Sequence, residues 1–114
     1  MTTHDTDSIQ SYHAHVYYDA ESKETAARLR AGVEARFDEI TMGRWHDKPV
    51  GPHPCWSYQI AFEPALFGEL VPWLALNRAG LDVLVHPNTG QDRPDHAERA
   101  MWLGKSHELD LSVL

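Results

Sequence analysis

The side chains best suited to chemistry in this sequence are its histidines, which number eight among 114 residues. Average usage would give about two or three in a chain of this length. Two of them, His13 and His15, lie two positions apart in the stretch YHAHVYYD, which runs from Tyr12 to Asp19. Converging neutral imidazoles bind Fe, Zn, Cu, Mn or Ni. The pair is therefore a candidate for part of a metal site. The alternative is a surface pair, or a pair that lies beside the ligands without binding the metal.

Alternating residue types predict that this stretch is a β-strand with both histidines on one face. Side chains two positions apart in a strand project to the same side, so His13 and His15 share a face. The opposite face carries a more apolar set, Tyr12, Ala14, Val16 and Tyr18. We expect that apolar face to pack on a core, which leaves the imidazoles pointing away from it.

Three further strands are predicted from the same kind of alternation. Together with the first they span 11–18, 39–45, 55–62 and 81–86, and 107–114 is a possible fifth. Between them, the sequence HDKPVGPHP at 46–54 carries prolines and a glycine that do not fit inside a regular element. A loop is expected there, and it contains two more histidines.

Three helices are predicted from capping residues and from apolar residues at helical spacing. The first follows a cap at Asp19. The second runs from Pro64 to a C-terminal cap at Gly80, and Pro72 should kink or split it because proline lacks a backbone donor. The third is predicted at 95–102, with Asp95 as its cap.

The order strand, helix, strand, strand, helix, strand is that of a ferredoxin-like sandwich. We predict an α+β fold with a four-stranded antiparallel sheet, two helices on one face and a C-terminal extension of one helix and one strand. In this prediction the first and third strands are central and parallel to each other. Five histidines would then meet at one end of the sheet: His13, His15, His46, His53 and His86.

The face away from the helices is expected to form a polar cleft lined by imidazoles. Ser57 and Gln59 share this face and are candidate substrate-binding residues. Arginines such as Arg44 and Arg93 are usually just solvated, but a cation near the cleft would suit a carboxylated substrate, and Arg44 is the third candidate substrate-binding residue. Tyr17 is expected in the core or in an interface.

Part of this face is apolar and needs a cover. A loop with the C-terminal segment could supply it, or a second subunit. We expect a homodimer, since C2 dimers are the commonest oligomers.

Non-haem Fe(II) oxygenases combine histidines with one carboxylate and leave coordination positions open. The carboxylate is hard to identify here: Asp82 is a candidate, whereas Asp19 and Asp95 are better explained as helix caps. Cys55 is the single cysteine, which excludes an internal disulfide. We expect it to be a small residue near the site and not a nucleophile, because no helix N-terminus is placed to lower its pKa. Three histidines are expected in the N-terminus, in loops or in an interface: His4, His46 and His107.

Charge and composition exclude several classes of partner. The net charge is -7 and the pI is near 5.5, so no basic patch is expected to bind nucleic acid or an anionic membrane. No apolar run approaches the roughly 18 residues that span a bilayer, and we expect a cytoplasmic protein. Residues 1–10 are expected to be flexible, and 11–114 to form a single domain.

Three segments of the sequence resemble the DOPA 4,5-dioxygenase family of small bacterial and fungal proteins. They are YHAHVYYD, GPHPCWSYQIAF and LVHPNTGQDRPDHAERAMWLG. The resemblance extends from Tyr12 to about Gly104. Its most specific part is the pattern HPxTG, then DH, then WLG.

This resemblance implies a ferredoxin-like fold and extradiol opening of the catechol ring of dihydroxyphenylalanine with O2. It also implies Fe(II) bound by histidines. Separately from the resemblance, another divalent metal such as Zn is an alternative ion in purified protein. The positions that fall on the family's motifs are His13, His15, His53, His86 and His96. We expect the first two and His86 to bind the metal, because strand geometry brings them together. The other two, His53 and His96, would act as acid–base or substrate-orienting residues.

A different functional class stays open, because a fold does not fix a function. The chain could be a dimer that binds a metal or a small ligand without turnover. It could also be an oxygenase for another catechol, with the choice of substrate made by its loops.

Overall fold

The computed structural model describes residues 2–114. One sheet in the order β2-β3-β1-β4-β5 contains the strands β1 (Ser11–Tyr18), β2 (Ile40–Met42), β3 (Trp56–Phe62), β4 (Val83–Asn88) and β5 (Met101–Leu103). The helices are α1 (Lys23–Arg36), α2 (Phe67–Asn77) and the short α3 (Asp92–His96). The α+β class predicted from the sequence is confirmed, but the sheet has five strands and not four.

Neighbouring strands run antiparallel throughout this sheet. The prediction that the first and third strands are parallel is therefore wrong. Because α1 returns the chain to the end where β1 began, β2 runs in the direction of β1, and β3 runs back between them. His46 and His53 follow β2 and precede β3, so their chain positions lie at the opposite end of the sheet from the start of β1.

The hydrophobic core lies between the sheet and the two long helices. The strand residues that face the helices are largely those predicted, and the buried ones among them are Val16, Tyr58, Ile60, Phe62, Val83 and Val85. The helices add residues at the spacing of one helical face, namely Ala26, Leu29 and Val33 from α1 and Leu70 and Leu74 from α2. Burying one such aliphatic side chain contributes about 1.5–3 kcal/mol. This core therefore fixes which face of each strand turns away from the helices.

Both long helices begin later than predicted. Asp19 stabilises the turn before α1, where its Oδ1 accepts the Ser22 N–H at 2.9 Å, so it does not cap the helix directly. A 3-10 turn at Pro64–Leu66 precedes α2, which then continues through Pro72 without a break. Gly80 follows with a φ of 83°, a left-handed conformation that glycine adopts without strain. No helix among residues 2–114 has both the length and the apolar composition needed to cross a membrane.

The C-terminal part of the chain departs most from the prediction. Asp95 lies inside α3 and does not cap it, and the residues after α3 form β5 on the free edge of β4. The strand predicted at 107–114 is not formed, and that segment ends in a 3-10 turn at Leu111–Val113. Since β5 already occupies the edge of β4, the segment 107–114 has no strand beside it with which to pair.

This C-terminal segment covers part of the open face of the sheet. The Asp110 N–H donates to the carbonyl of Pro52 at 2.9 Å, which joins the segment to the loop between β2 and β3. Beneath this cover, Tyr17 and Leu84 are buried. The chain thus supplies a cover of its own, and the homodimer stays a prediction.

Candidate metal centre

Three histidines on the open face converge where β1 pairs with β4. His13 lies directly opposite His86 in the antiparallel register, and His15 shares their face two residues further along β1. One ring nitrogen from each lies within 4.8 Å of the other two. In the part of the chain that the structure describes, this is the group of ligating side chains close enough to share one ion. The structure therefore brings together the three residues expected to bind the metal.

The orientation of these rings suits a bound cation. Nε2 of His15 faces Nε2 of His86 at 3.0 Å, and Nδ1 of His86 donates to the carbonyl of Pro87, also at 3.0 Å. With its proton on Nδ1, a neutral His86 presents a bare Nε2 lone pair to the site. Two nitrogens at this separation fit two ligands about 2.1 Å from one ion at roughly a right angle.

Burial keeps these imidazoles neutral. It lowers the pKa of His15 well below the ordinary value and the pKa of His86 to about 4, and repulsion from neighbouring imidazoles adds to the effect. The pKa of His13, which is more exposed, is lowered by burial and by His96. Neutral imidazole is the form that binds metal, so the set is ready for a cation at neutral pH.

A fourth imidazole, His53, reaches this cluster from the loop between β2 and β3. Its ring centroid lies 4.2 Å from that of His15, because the loop folds back over the open face from the far end of the sheet. His53 therefore reaches the cluster by way of this loop, and not because its strand ends at the same edge of the sheet, as the sequence predicted. Burial lowers the pKa of His53 to about 4, and repulsion from neighbouring imidazoles contributes to the shift.

Tyr17 holds His53 in place, a role that the sequence does not predict. Its hydroxyl lies 2.7 Å from His53 Nδ1, which leaves Nε2 as the free nitrogen of that ring. Burial raises the pKa of Tyr17, so the phenol stays protonated and bonds as a neutral group. The signal that could have found this residue is its position on the same strand face as His15, two residues further along.

The fifth imidazole, His96, comes from α3. Its ring centroid lies 3.9 Å from that of His86. Its Nδ1 donates to the carbonyl of Asp92 at 2.7 Å, which leaves Nε2 as the free nitrogen of that ring. The structure thus surrounds the three candidate ligands with two further imidazoles whose Nδ1 atoms are already bonded.

Asp95 anchors the turn that presents His96. Only 1% of its surface is exposed, and its carboxylate accepts the Thr89 N–H at 2.7 Å and pairs with Arg99 at 3.0 Å. Burial alone would raise the pKa of Asp95, but these bonds outweigh it and hold the pKa below its usual range. Asp95 therefore acts as an ionised structural anchor.

The three carboxylates considered from the sequence are all engaged away from the cluster. Asp95 binds Thr89 and Arg99, Asp82 lies 2.8 Å from Nε2 of His107, and Asp19 binds the turn before α1. The candidate centre among residues 2–114 is therefore built from histidines.

The three predicted substrate-binding residues differ in their placement. Gln59 pairs opposite His15 and shares its face, and Ser57 is buried opposite Tyr17. Arg44 is exposed just beyond β2, and β3 separates that strand from β1. Gln59 thus flanks the candidate centre and Ser57 lies two residues further along, whereas Arg44 lies outside it.

Fold and site together define a small α+β protein with a cluster of converging imidazoles on the open face of its sheet. The chain belongs to the Dopa 4,5-dioxygenase family, whose sequence model matches residues 12–113. The resemblance noted in the sequence is thereby confirmed. Family membership points to a dioxygenase, and the three converging histidines could bind a metal ion.

The chain is similar to three individual proteins, two of which carry dioxygenase names. A solved crystal structure of a candidate dioxygenase from Nostoc punctiforme is 53% identical, with a TM-score of 0.95 over 97% of this chain and 96% of that one. A protein of Amanita muscaria named DOPA 4,5-dioxygenase is 33% identical over 93% of this chain. An uncharacterized 21.2 kDa protein of Botryotinia fuckeliana is 35% identical over 91% of this chain. The chain spans 50% of the Amanita protein and 63% of the Botryotinia protein.

Proposed function

We propose that this protein opens a catechol ring by an extradiol reaction with O2, at a non-haem Fe(II) held by His13, His15 and His86. The observation that carries the proposal is the convergence of three imidazoles with their ligand nitrogens within 4.8 Å of one another. The family supports the dioxygenase class, and the name of the Amanita muscaria relative supports dihydroxyphenylalanine as the substrate. Imidazole ligands suit Fe(II), and Zn is the alternative ion in purified protein.

A bound Fe(II) would supply the Lewis-acid and redox chemistry that couples a catechol to O2. The protein would supply proton transfer and orientation. His96 accepts a phenolic proton at Nε2, because its Nδ1–H is already donated to the Asp92 carbonyl. His53, oriented by Tyr17, uses its free Nε2 to hydrogen-bond and orient the substrate.

The buried position of the cluster favours this chemistry. His15, His53 and His86 are 5%, 8% and 0% exposed, so little water competes for their hydrogen bonds. Hydrogen bonds in such surroundings are stronger than in water. The polar residues Ser57 and Gln59 extend this surface along β3 and are the proposed substrate contacts.

Turnover by the metal-loaded protein tests the proposal. The purified chain is loaded with Fe(II) under anaerobic conditions and is then mixed with dihydroxyphenylalanine and oxygenated buffer. We expect a yellow ring-opened product and the uptake of one O2 for each ring opened. The metal-free protein should produce neither.

A negative result has a defined meaning. If the protein binds Fe(II) but opens none of several catechols, the dioxygenase proposal is wrong. That outcome would favour a dimer that binds a metal or a small ligand without turnover. Sedimentation measurements on the same sample would then test the predicted homodimer directly.

A further inference from the structure

A second group of reactive side chains lies at the end of the sheet where β1 finishes, in a pocket of about 510 Å³. Cys55 Sγ lies 3.8 Å from Nδ1 of His107, and Nε2 of the same ring lies 2.8 Å from Oδ2 of Asp82. A thiol, an imidazole and a carboxylate thus lie in line in the order in which nucleophilic triads act. The ring of Tyr17 stands beside His107, at 5.2 Å between centroids, while its hydroxyl bonds to His53. Tyr17 therefore separates this triad from the imidazole cluster.

The carboxylate of the triad is firmly held. Oδ1 of Asp82 accepts the Lys105 N–H at 2.8 Å. The turn requires Gly104, because its φ is 88° and an added Cβ would lie 2.5 Å from the same Oδ1. Burial alone would raise the pKa of Asp82, but the bonds from Lys105 and His107 outweigh it and lower the pKa. An ionised, fixed Asp82 can therefore orient the ring of His107.

The thiol needs a base at the moment of reaction. Burial raises the pKa of Cys55, and the negative charges of Asp82 and Asp19 raise it further. Cys55 is therefore a protonated thiol at neutral pH and not a preformed thiolate. The expectation from the sequence that Cys55 is not a nucleophile took account only of helix N-termini. His107 lies 3.8 Å away and is in place to accept the proton as the sulfur attacks.

We propose that this pocket binds a neutral, planar α,β-unsaturated carbonyl compound and that Cys55 adds to it, with His107 as the base and Asp82 as the positioning residue. The sulfur forms a bond to the β carbon, and the electrons of the double bond move towards the carbonyl oxygen. His107 takes the thiol proton and delivers it to the α carbon. The product is a thioether, so the addition needs neither an external oxidant nor a leaving group.

The lining of the pocket selects this class of electrophile. Aromatic and proline side chains, including Tyr18, Trp56 and Pro54, offer flat apolar surfaces to a conjugated body. The carboxylates of Asp19 and Asp82 disfavour an anion, and the described lining contains neither lysine nor arginine. A neutral aromatic enone meets both requirements.

The experiment uses 4-phenylbut-3-en-2-one as the probe and the intact mass of the full chain as the readout. Cys55 is the single cysteine, so one added probe mass that is absent in Cys55→Ser locates the thioether. We expect the wild-type protein to react at least about 10-fold faster than glutathione at the same pH, and His107→Gln to slow the reaction about 100-fold. Asp82→Asn should slow it less, since it only positions the base. His46→Gln, an imidazole change outside this pocket, should react as the wild type does.

Two results would overturn the proposal. One is a wild-type rate no greater than that of glutathione. The other is an equal rate in the wild type and in His107→Gln. Because His107 packs against Trp102, with 5.6 Å between ring centroids, His107→Phe serves as a second variant that keeps a ring in place while removing the base. Circular dichroism of each variant establishes that it is folded, so that a slow rate reports lost chemistry.

Discussion

At the scale of the residue, the hydroxyl of Tyr17 is the smallest group whose removal tests the candidate centre. Tyr17→Phe leaves Nδ1 of the buried His53 without its 2.7 Å partner, and an unpaired buried polar atom costs about 1–3 kcal/mol. We expect the free energy of unfolding to fall by about that amount. We also expect kcat for ring opening to fall about 10-fold, because His53 loses its orientation. Urea unfolding and steady-state kinetics measure the two effects.

The neighbouring tyrosine provides a matched control for this prediction. Tyr18 also makes a 2.7 Å hydroxyl bond, to Oδ1 of Asp47, but it projects from the other face of β1. Tyr18→Phe should therefore keep the wild-type kcat. An unchanged kcat in Tyr17→Phe would remove this hydroxyl from the proposed mechanism.

The candidate ligands can be tested by metal content alone. His86→Gln removes the Nε2 that faces His15 while keeping a polar side chain in the same buried place. We expect bound Fe(II) to fall from one equivalent to less than about 0.1, since the lost ligand leaves the ion with two imidazoles. His46→Gln, in the loop after β2, should keep the full equivalent. Metal analysis after anaerobic gel filtration measures both, and equal metal in the two variants would contradict the proposed ligand set.

At the scale of the element, α3 can be loosened without touching the strands. Asp95→Asn weakens the bonds that hold the turn before His96, so we expect a loss of about 2–4 kcal/mol in the free energy of unfolding. Fe(II) binding should persist because the three candidate ligands lie on β1 and β4. The kcat should fall with the placement of His96. A variant that loses its metal and its activity together would show that α3 supports the centre itself.

The sequence could predict the positions of site residues on strands better than those of site residues on loops and on the C-terminal segment. Alternation along β1, together with the burial of its apolar face in the core, is enough to place His13 and His15 on the open face. His53 and His107 depend on the paths of the 46–55 loop and the C-terminal segment, which no periodicity encodes. The strand predicted at 107–114 fails for a related reason, because alternation shows that a segment can pair but not whether an edge is free. The faces of the strand residues were therefore predictable. The hydrogen bond between Tyr17 and His53 was not, because it depends on the path of the loop.

At the scale of the whole molecule, the open face of the sheet buries several imidazoles, and burial lowers their pKa values. In the folded protein the pKa of His53 and of His86 is about 4, and that of His15 is well below its ordinary value of 6.5. In the unfolded chain the same residues titrate near 6.5. Between these values the unfolded chain binds more protons than the folded one, so stability falls as the pH falls. About one unit above pH 6.5 and higher, both states are neutral, and the dependence disappears.

This linkage gives a prediction for the metal-free protein. Between pH 6.5 and 4.5 we expect a loss in the free energy of unfolding on the order of 3 kcal/mol, since each unit of pKa shift corresponds to about 1.4 kcal/mol and mutual repulsion keeps the rings from contributing additively. Urea unfolding in the presence of a chelator, repeated across this range, measures this loss.

Two variants serve as controls. His53→Gln removes one of the groups with a lowered pKa and should flatten the dependence of stability on pH, whereas His4→Gln, at an exposed position, should leave that dependence unchanged. Saturating Fe(II) should raise stability most near pH 7, because the ion binds only the neutral rings and protons displace it at lower pH. A metal-free protein equally stable at pH 7 and pH 4.5 would show that the folded imidazoles titrate normally, and the electrostatic basis of the candidate centre would fail with that result.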